Sequence, residues 1–149
     1  MDVACDLNQP IPFVSNSFDT IVVSDVMEHL ADYETVWSEL ARLLRPSGKL
    51  IVGVPFLYWL HEDPHDYFRP TEFALRRFCE RHGLRVIVLE PYGGALDVVF
   101  DIVAKHLAVS TILARAFYWT GRATLPLGRR LLARTERKFP LGYLLVAER

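Results

Sequence analysis

The sequence contains little cysteine and no excess of either charge. Cys5 and Cys79 are the only cysteines in 149 residues, too few for a disulfide scaffold and wrongly spaced for a zinc site. The formal net charge is -1, so the electrostatic footprint of a nucleic-acid-binding protein is missing. We therefore expect neither a disulfide-rich secreted domain nor a nucleic-acid partner.

A membrane-spanning run and a leader are missing too. The apolar stretch that starts at Leu107 stops at Arg115, well short of the ~20 residues that a spanning helix needs. Residues 1–6 contain neither a basic n-region nor an apolar h-region, so they predict no signal peptide. We expect a protein of the reducing cytoplasm. With 51% hydrophobic residues and a low net charge, the chain also lacks the composition of a disordered protein.

Short β-branched runs alternate with segments of helical periodicity. The predicted strands are residues 3–5, 20–23, 50–54, 84–89 and 143–147. One helix is predicted over residues 33–44 with Asp32 as its N-cap, and a second between Thr71 and Gly83. This alternation is typical of an α/β protein. We expect a Rossmann-like, mostly parallel sheet with flanking helices.

Residues 95–138 predict a helical insertion before the last strand. Apolar side chains recur on one helical face at Leu96, Val99, Phe100, Val103 and Leu107. A basic stretch follows between Arg122 and Lys138. We assign the chain, 1–149, to a single domain with 95–138 as its insertion. Two interpretations of the insertion stay open: helices that pack on their own sheet, or a peripheral element that meets anionic headgroups at a membrane surface.

Polar residues follow three of the predicted strands. They are Asp6 after the first, Ser24, Asp25, Glu28 and His29 after the second, and residues 56–69 after the third. Ligands bind outside the carboxyl ends of the strands in a doubly wound sheet, so these groups are expected to converge on one edge. Each group by itself is equally explained as a helix cap or a turn former.

Six short motifs follow one another in the chain: Asp6-Leu7, Pro10-Ile11-Pro12-Phe13, Ser17-Phe18-Asp19, Val26-Met27-Glu28-His29-Leu30, Leu43-Leu44-Arg45-Pro46-Ser47-Gly48 and Val54-Pro55. They resemble the central and C-terminal motifs of the class I S-adenosylmethionine-dependent methyltransferases, in the branch described as methyltransferase type 11. Each motif is weak by itself, and their shared order and spacing carry the resemblance. It covers roughly residues 1–90 and resumes at 139–148.

The resemblance implies S-adenosylmethionine as cofactor and assigns to it Asp6, Leu7, Ser24, Asp25, Glu28 and His29. The family's acidic residue at the position of Asp6 usually approaches the adenine amino group, a donor that suits a carboxylate acceptor. Leu7 would pack on the ring beside it. Ser24 and Asp25 match positions near the methionine part of the cofactor, and His29 matches the wall of the site.

The sequence departs from the family pattern before Asp6. The family's first strand, its glycine-rich loop and the acidic residue that holds the ribose hydroxyls should precede this position, and Gly93-Gly94 lies too late to replace the loop. We therefore expect the C-terminal portion of a methyltransferase, with the N-terminal strand–helix units missing. Such a sheet exposes an edge that invites pairing with another chain, so self-association through this edge is a further expectation.

The loop at residues 61–71, His-Glu-Asp-Pro-His-Asp-Tyr-Phe-Arg-Pro-Thr, is the stretch richest in chemical groups. Its imidazoles and carboxylates resemble metal-ligand spacing, but Pro64 and the neighbouring aromatic residues argue against a preformed cage, and we assign no metal. A solvated loop whose Thr71 caps the next helix is a second interpretation. The family resemblance favours a third, a lid over the substrate. In that lid His65, or else His61, takes a proton from a substrate hydroxyl or amine.

We therefore predict that the chain belongs to an enzyme that transfers a methyl group from S-adenosylmethionine to an oxygen or nitrogen of a small-molecule, sugar or lipid acceptor. The alternative is a non-catalytic methyltransferase-like module that binds a partner through its open sheet edge. A nicotinamide-dependent oxidoreductase is disfavoured, because the sequence has no Gly-x-Gly-x-x-Gly motif.

Overall fold

The computed structural model describes residues 3–131 and 133–149. The strands are β1 (Phe18–Ser24), β2 (Leu44–Pro55), β3 (Arg85–Tyr92) and β4 (Gly142–Glu148). The helices are α1 (Tyr33–Leu43), α2 (Glu72–Arg81), α3 (Ala95–Leu107) and α4 (Thr111–Leu131), with single 3-10 turns at Met27–His29 and Ala133–Thr135. The elements alternate as the sequence predicts, and the α/β class is confirmed.

Two helices begin at the N-caps that the sequence predicts. Asp32 accepts a hydrogen bond from the Thr35 amide at 3.1 Å, which caps α1. Thr71 accepts one from the Ala74 amide at 3.2 Å, which caps α2. After α2 the chain turns at Gly83, whose φ of 69° lies in the region that favours glycine.

The four described strands form one sheet in the order β1-β2-β4-β3. β1 and β2 pair in parallel, with Val23 opposite Val52 and Ser24 opposite Gly53. This register puts the carboxyl ends of the two strands side by side. The segments that follow them, which carry most of the predicted site residues, therefore start from the same edge.

The expectation of a mostly parallel sheet is wrong, because β4 lies between β2 and β3 and runs opposite to both. Glu148 at the end of β4 forms ion pairs with Lys49, near the start of β2, and with Arg85, at the start of β3. Among the described strands, one pairing is therefore parallel and two are antiparallel. The apolar run at residues 143–147 predicts a buried strand, but an apolar run does not encode direction or neighbours.

The main core lies between the sheet and the pair of helices α1 and α2. Trp37 of α1 is wholly buried, and its ring stacks on Phe78 of α2 with centroids 5.7 Å apart. Leu75 of α2, Leu50 of β2 and Leu145 of β4 are also fully buried. This packing holds the ends of β1 and β2, from which the candidate site is built.

The outer edge of β1 is open within the described part of the chain. β1 has β2 as its single neighbour in the sheet, and Val22 of β1 is 65% exposed. Residues 3–5, expected as a strand, are exposed and irregular. A strand needs a ladder partner for its backbone groups, and no described strand offers these residues one.

The contacts divide the chain into two compact units. The first comprises Met1–Phe56, Leu60–Glu90 and Tyr143–Arg149, and the second comprises Leu57–Trp59 and Pro91–Gly142. The first contains α1, α2 and nearly all of the sheet, and the second contains α3 and α4. The assignment of 1–149 to a single domain with an insertion at 95–138 stays a prediction.

Within the second unit, α3 and α4 pack against each other. The rings of Phe100 and Phe117 stack with centroids 4.5 Å apart. A β-carbon at Gly121 would come 1.9 Å from the Phe100 ring, so glycine permits the close approach of the helices. The predicted basic stretch is described only in part, because three of its arginine side chains lie outside the described residues: Arg122, Arg129 and Arg130. None of the described helices combines the length and the apolar content that crossing a membrane requires.

Candidate functional site

Asp6 and Leu7 begin a turn that is fastened to the start of α1. The Asp6 carboxylate accepts hydrogen bonds from the Asn8 backbone amide at 2.9 Å and from the Asn8 side-chain nitrogen at 3.1 Å. The side-chain oxygen of Asn8 accepts in turn from the Asp32 amide at 3.2 Å. The predicted adenine-binding carboxylate is thus exposed but held in place by its own turn.

Ser24 and Asp25 lie where β1 ends, and both are exposed. Asp25 has a φ of 52°, which is uncommon outside glycine, and its amide donates a hydrogen bond to the Gly53 carbonyl at 3.0 Å. The Ser24 hydroxyl donates to Asp25 Oδ2 at 3.0 Å. A β-carbon at Gly53 would lie 3.2 Å from Ser24 Oγ, so glycine at this position of β2 leaves room for the hydroxyl.

A groove of about 570 Å³ runs along β1. It is lined, among others, by Cys5, Leu7, Phe13, Val22 and Ser24. Two of the predicted cofactor residues, Leu7 and Ser24, therefore face the same groove, and Asp6 and Asp25 are their neighbours in the chain. The volume falls within the ~300–1,000 Å³ of small-molecule sites.

Glu28 lies in the 3-10 turn after β1 and is fully buried. Among the described residues, neither of its carboxylate oxygens has a hydrogen-bond partner. Burial raises the pKa of this carboxyl above its usual value, against the opposing influence of His29 and His61. A carboxylate in this position is costly unless it is protonated or paired with a cation.

The loop after β2 folds back onto Glu28. The Glu28 carbonyl oxygen accepts hydrogen bonds from the amides of Tyr67 at 2.8 Å and Phe68 at 3.3 Å. His29 Nδ1 lies 2.6 Å from the His65 carbonyl oxygen, so this nitrogen carries the proton and donates it. These hydrogen bonds bring the loop that was predicted to be a lid to the carboxyl end of β1.

His61 takes part in the contact between the loop and the turn after β1. Its ring meets that of His29 edge-on, with centroids 4.7 Å apart. Its amide donates to Asp66 Oδ2 at 3.0 Å, and its Nδ1 lies 3.2 Å from the same oxygen. Glu28, His29 and His61 form a group whose potential metal-binding atoms all lie within 4.8 Å of one another. We refer to these three residues as the Glu28 cluster.

An ion pair inside the loop orients His61. Asp66 accepts hydrogen bonds from both terminal nitrogens of Arg69, one of them at 2.6 Å to Oδ2, the bidentate geometry of strong pairs. The Asp66 side chain is 2% exposed, and the guanidinium lowers the pKa of its carboxyl to about 2. No role for Asp66 or Arg69 was predicted from the sequence. The Asp-x-x-Arg spacing was the available signal, and it is weak in a loop.

The two histidines predicted as bases occupy different environments. His65 is exposed, and its Nδ1 lies 3.0 Å from the Tyr67 hydroxyl. His61 belongs to the Glu28 cluster, together with two residues that were assigned to the cofactor, Glu28 and His29. The six predicted cofactor residues therefore fall into two groups, one at the groove and one in this cluster.

Comparison with known proteins agrees with this architecture. Residues 2–52 match a family model described as a methyltransferase domain. Together with the α/β fold and the polar residues gathered at the carboxyl ends of β1 and β2, this match supports a class I S-adenosylmethionine-dependent methyltransferase.

The particular relatives differ in what they do. Over 118 residues the chain is 28% identical to the ubiquinone biosynthesis O-methyltransferase of Coxiella burnetii, which covers 63% of this chain and 50% of that protein. The structure of phosphoethanolamine N-methyltransferase 2 of Haemonchus contortus, in complex with S-adenosyl-L-methionine, has a TM-score of 0.61 at 14% identity and covers 97% of this chain and 36% of that one. The [4+2]-cyclase SpnF has a TM-score of 0.59 at 17% identity and covers 99% and 54%. The chain spans about half the length of the curated relatives it matches.

Proposed function

We propose that the chain is part of an S-adenosylmethionine-dependent methyltransferase that methylates an oxygen or nitrogen of a small-molecule acceptor. The hydrogen bonds from Tyr67 and Phe68 to the Glu28 carbonyl carry this proposal, because they bring the histidines of the loop to the edge where ligands of α/β sheets bind. The fold alone is weaker support, since the cyclase SpnF has a similar one.

The groove along β1 fits the nucleoside part of the cofactor. Leu7 and Phe13 offer apolar surface to a base, and Asp6, next to Leu7, offers an acceptor for an exocyclic amine. Ser24, the last residue of β1, also lines the groove. The described residues before Asp6 hold no glycine-rich loop. In this proposal the residues of the groove therefore contact only part of the cofactor. When bound, the cofactor supplies an electrophilic methyl group.

We assign the acceptor's proton to His65. With Nδ1–H donating to the Tyr67 hydroxyl oxygen, 3.0 Å away, Nε2 keeps a lone pair that can accept a proton from a hydroxyl or an amine. His61 is the second choice, and its contacts with Asp66 and His29 make it the more constrained of the two. Tyr67 and Phe68 supply aromatic surface that keeps water from the reacting atoms.

Methyl transfer by the enzyme that contains this chain tests the proposal. We expect His65→Ala to lower turnover about 10²–10⁴-fold, the usual range for a general base. His82→Ala is the matched control, because His82 pairs with Glu34 at the end of α2, outside the site. Unchanged turnover in both His65→Ala and His61→Ala would exclude a histidine base and leave the loop with a structural role.

A non-catalytic binding module is the second candidate, favoured by the open edge of β1. Val22 is 65% exposed there, and unpaired edges recruit strands of other chains. If two copies pair through this edge, light scattering will find a concentration-dependent dimer that Val22→Lys abolishes, while Val109→Lys, at another exposed valine, leaves it intact. A chain that stays monomeric at all concentrations contradicts self-association.

We also propose that the α3–α4 pair rests on a membrane surface. Val109, Ile112 and Trp119 are 90%, 78% and 66% exposed. The exposed Arg115 lies between Ile112 and Trp119 at helical spacing, so apolar and basic groups share one face. Co-sedimentation with anionic vesicles at low salt should be lost in the double variant Ile112→Ser, Trp119→Ser and kept in Val22→Ser. If the unaltered chain stays in the supernatant, the membrane contact is wrong.

A further inference from the structure

Glu28 presents an unpaired carboxylate in the interior beside two imidazoles. Its side chain is 1% exposed, and neither oxygen has a hydrogen-bond partner among the described residues. His29 Nε2 lies 3.8 Å from Glu28 Oε1, beyond hydrogen-bond distance. Buried carboxylates are usually paired, protonated or bound to a metal. The hydrogen bonds of the two imidazoles indicate which of these three states applies to Glu28.

The hydrogen bond of His29 leaves one specific nitrogen to face Glu28. Because Nδ1 lies 2.6 Å from the His65 carbonyl oxygen, it must carry a proton. The neutral ring then has its lone pair on Nε2, the nitrogen nearest to the carboxylate. A histidine that donates its other N–H to a backbone carbonyl is the usual form of a metal ligand.

His61 is oriented in the same manner by a carboxylate. Its Nδ1 lies 3.2 Å from Asp66 Oδ2 and 3.5 Å from a terminal nitrogen of Arg69. The carboxylate is closer, and Arg69 already donates to that same oxygen at 2.6 Å. We therefore place the His61 proton on Nδ1, which leaves Nε2 as the ligand nitrogen. A carboxylate behind a histidine in this way raises its basicity toward a metal.

We propose that Glu28, His29 and His61 bind a first-row divalent metal ion, with two imidazole nitrogens and one carboxylate as ligands. One ring nitrogen of each histidine and one carboxylate oxygen of Glu28 lie within 4.8 Å of one another. Around a tetrahedral zinc ion they would be about 3.4 Å apart, given metal–ligand distances of about 2.0–2.2 Å, so side-chain movements of about 1 Å close the site. The set of two histidines and one glutamate is one that Zn²⁺ accepts with a fourth position left open.

The backbone assembles these ligands without the metal. The carbonyl of Glu28 accepts from Tyr67 and Phe68, and the Asp66–Arg69 pair fixes the loop that carries His61. The sequence predicted no metal because only the residues of the loop were weighed together. The proposed ligands come instead from two segments. Glu28 and His29 lie in the turn after β1, and His61 lies in the loop after β2.

Metal titration of the untagged, chelator-treated chain tests this site. We expect one equivalent of Zn²⁺, and one of Co²⁺ with the visible absorption of four-coordinate cobalt, to bind and to raise the melting temperature. Glu28→Gln, of the same shape, and His61→Ala should each weaken binding more than 100-fold. His106→Ala is the control and should bind normally, because His106 lies on α3 and its Nδ1 bonds the Ile102 carbonyl.

Circular dichroism shows whether each variant is folded, and His61→Ala keeps the test decisive if Glu28→Gln does not fold. Absence of binding at 100 µM Zn²⁺ and Co²⁺ would overturn the proposal and leave Glu28 as a protonated acid. So would binding that neither Glu28→Gln nor His61→Ala weakens, because the metal would then lie elsewhere.

Discussion

The amide nitrogen of Tyr67 lies 2.8 Å from the carbonyl oxygen of Glu28. This hydrogen bond joins the loop after β2 to the turn after β1, the two segments that leave the parallel pair of strands at the same edge. The same loop places His61 next to the buried carboxylate of Glu28. The conformation of the loop is therefore as important to the site as the order of the strands.

Loss of the Asp66 charge should loosen the loop before it affects the sheet. In Asp66→Asn the Arg69 guanidinium loses its ion pair and His61 loses an acceptor. We expect the free energy of unfolding to fall by about 1–3 kcal/mol, the cost of leaving a partly buried polar partner unsatisfied. Hydrogen exchange should increase at residues 61–68 and remain unchanged in β2.

The matched control for this change is Asp63→Asn, at an exposed carboxylate of the same loop. Equal exchange in the two variants would contradict the assignment of the Asp66–Arg69 pair as the element that holds the loop.

Stability should fall in acid in part through Glu39. Its carboxylate accepts two hydrogen bonds of 2.7 Å from Arg42 and one of 2.8 Å from the Ile11 amide, and Arg42 lowers its pKa below the usual 4.5. A group whose pKa is lowered by folding stabilises the fold above its unfolded pKa and loses that effect as the pH falls through the folded value. Glu39→Gln should therefore destabilise the chain at pH 7 and much less at pH 3.

Urea unfolding at several pH values measures this difference, with Glu80→Gln, an exposed glutamate on α2, as the control. A destabilisation by Glu39→Gln that is the same at pH 7 and pH 3 would show that its charge is not the cause.

The two cysteines should differ in reactivity. Cys79 is fully buried on α2, and burial raises its pKa to about 11, so almost no thiolate is present at pH 8 and reagents cannot reach it. Cys5 is exposed. A thiol reagent should label one site per folded chain and two in denaturant, and no site in folded Cys5→Ser. Rapid labelling of folded Cys5→Ser would show that the α2 packing opens readily.

Gly121→Ala separates helix propensity from packing. Alanine favours a helix over glycine by up to about 1 kcal/mol, but its β-carbon would come 1.9 Å from the Phe100 ring. We expect packing to dominate, with a net loss of about 1–3 kcal/mol. The double variant with Phe100→Ala should recover part of this loss. Thermal unfolding of the unaltered chain, the two single variants and the double variant gives the coupling free energy between the two positions. Stabilisation by Gly121→Ala alone would contradict the close packing of α3 and α4.

Local signals predicted the helices and their caps well, because caps depend on side chains within one turn. Asp32, Thr71 and Gly83 act as the sequence indicates. The start of β2 was predicted less well. Residues 44–48, expected to end α1, already belong to the strand, where Leu44 pairs with Phe18 and the backbone of Ser47 and Gly48 hydrogen-bonds with Arg149.

Long-range features could not be predicted in the same way. The place of β4 between β2 and β3 follows from how the whole chain packs, and the apolar run at 143–147 carries no information on it. The Glu28 carbonyl accepts hydrogen bonds from Tyr67 and Phe68, which lie in a distant loop. The sequence indicates which residue types surround the site, whereas the grouping of Glu28, His29 and His61 emerges only when that loop is folded.

Titration of the isotope-labelled chain with S-adenosylhomocysteine, followed by amide chemical shifts, tests the central proposal most directly. We expect shifts concentrated at residues 5–7 and 24–26 and smaller shifts in Asp6→Asn. We expect a dissociation constant weaker than micromolar, because the described residues before Asp6 offer no glycine-rich loop to the cofactor. Absence of shifts at millimolar ligand would contradict the assignment of the cofactor to this groove. Micromolar binding, about -8 kcal/mol, would show that these residues hold the cofactor by themselves. It would contradict the proposal that they contact only part of it.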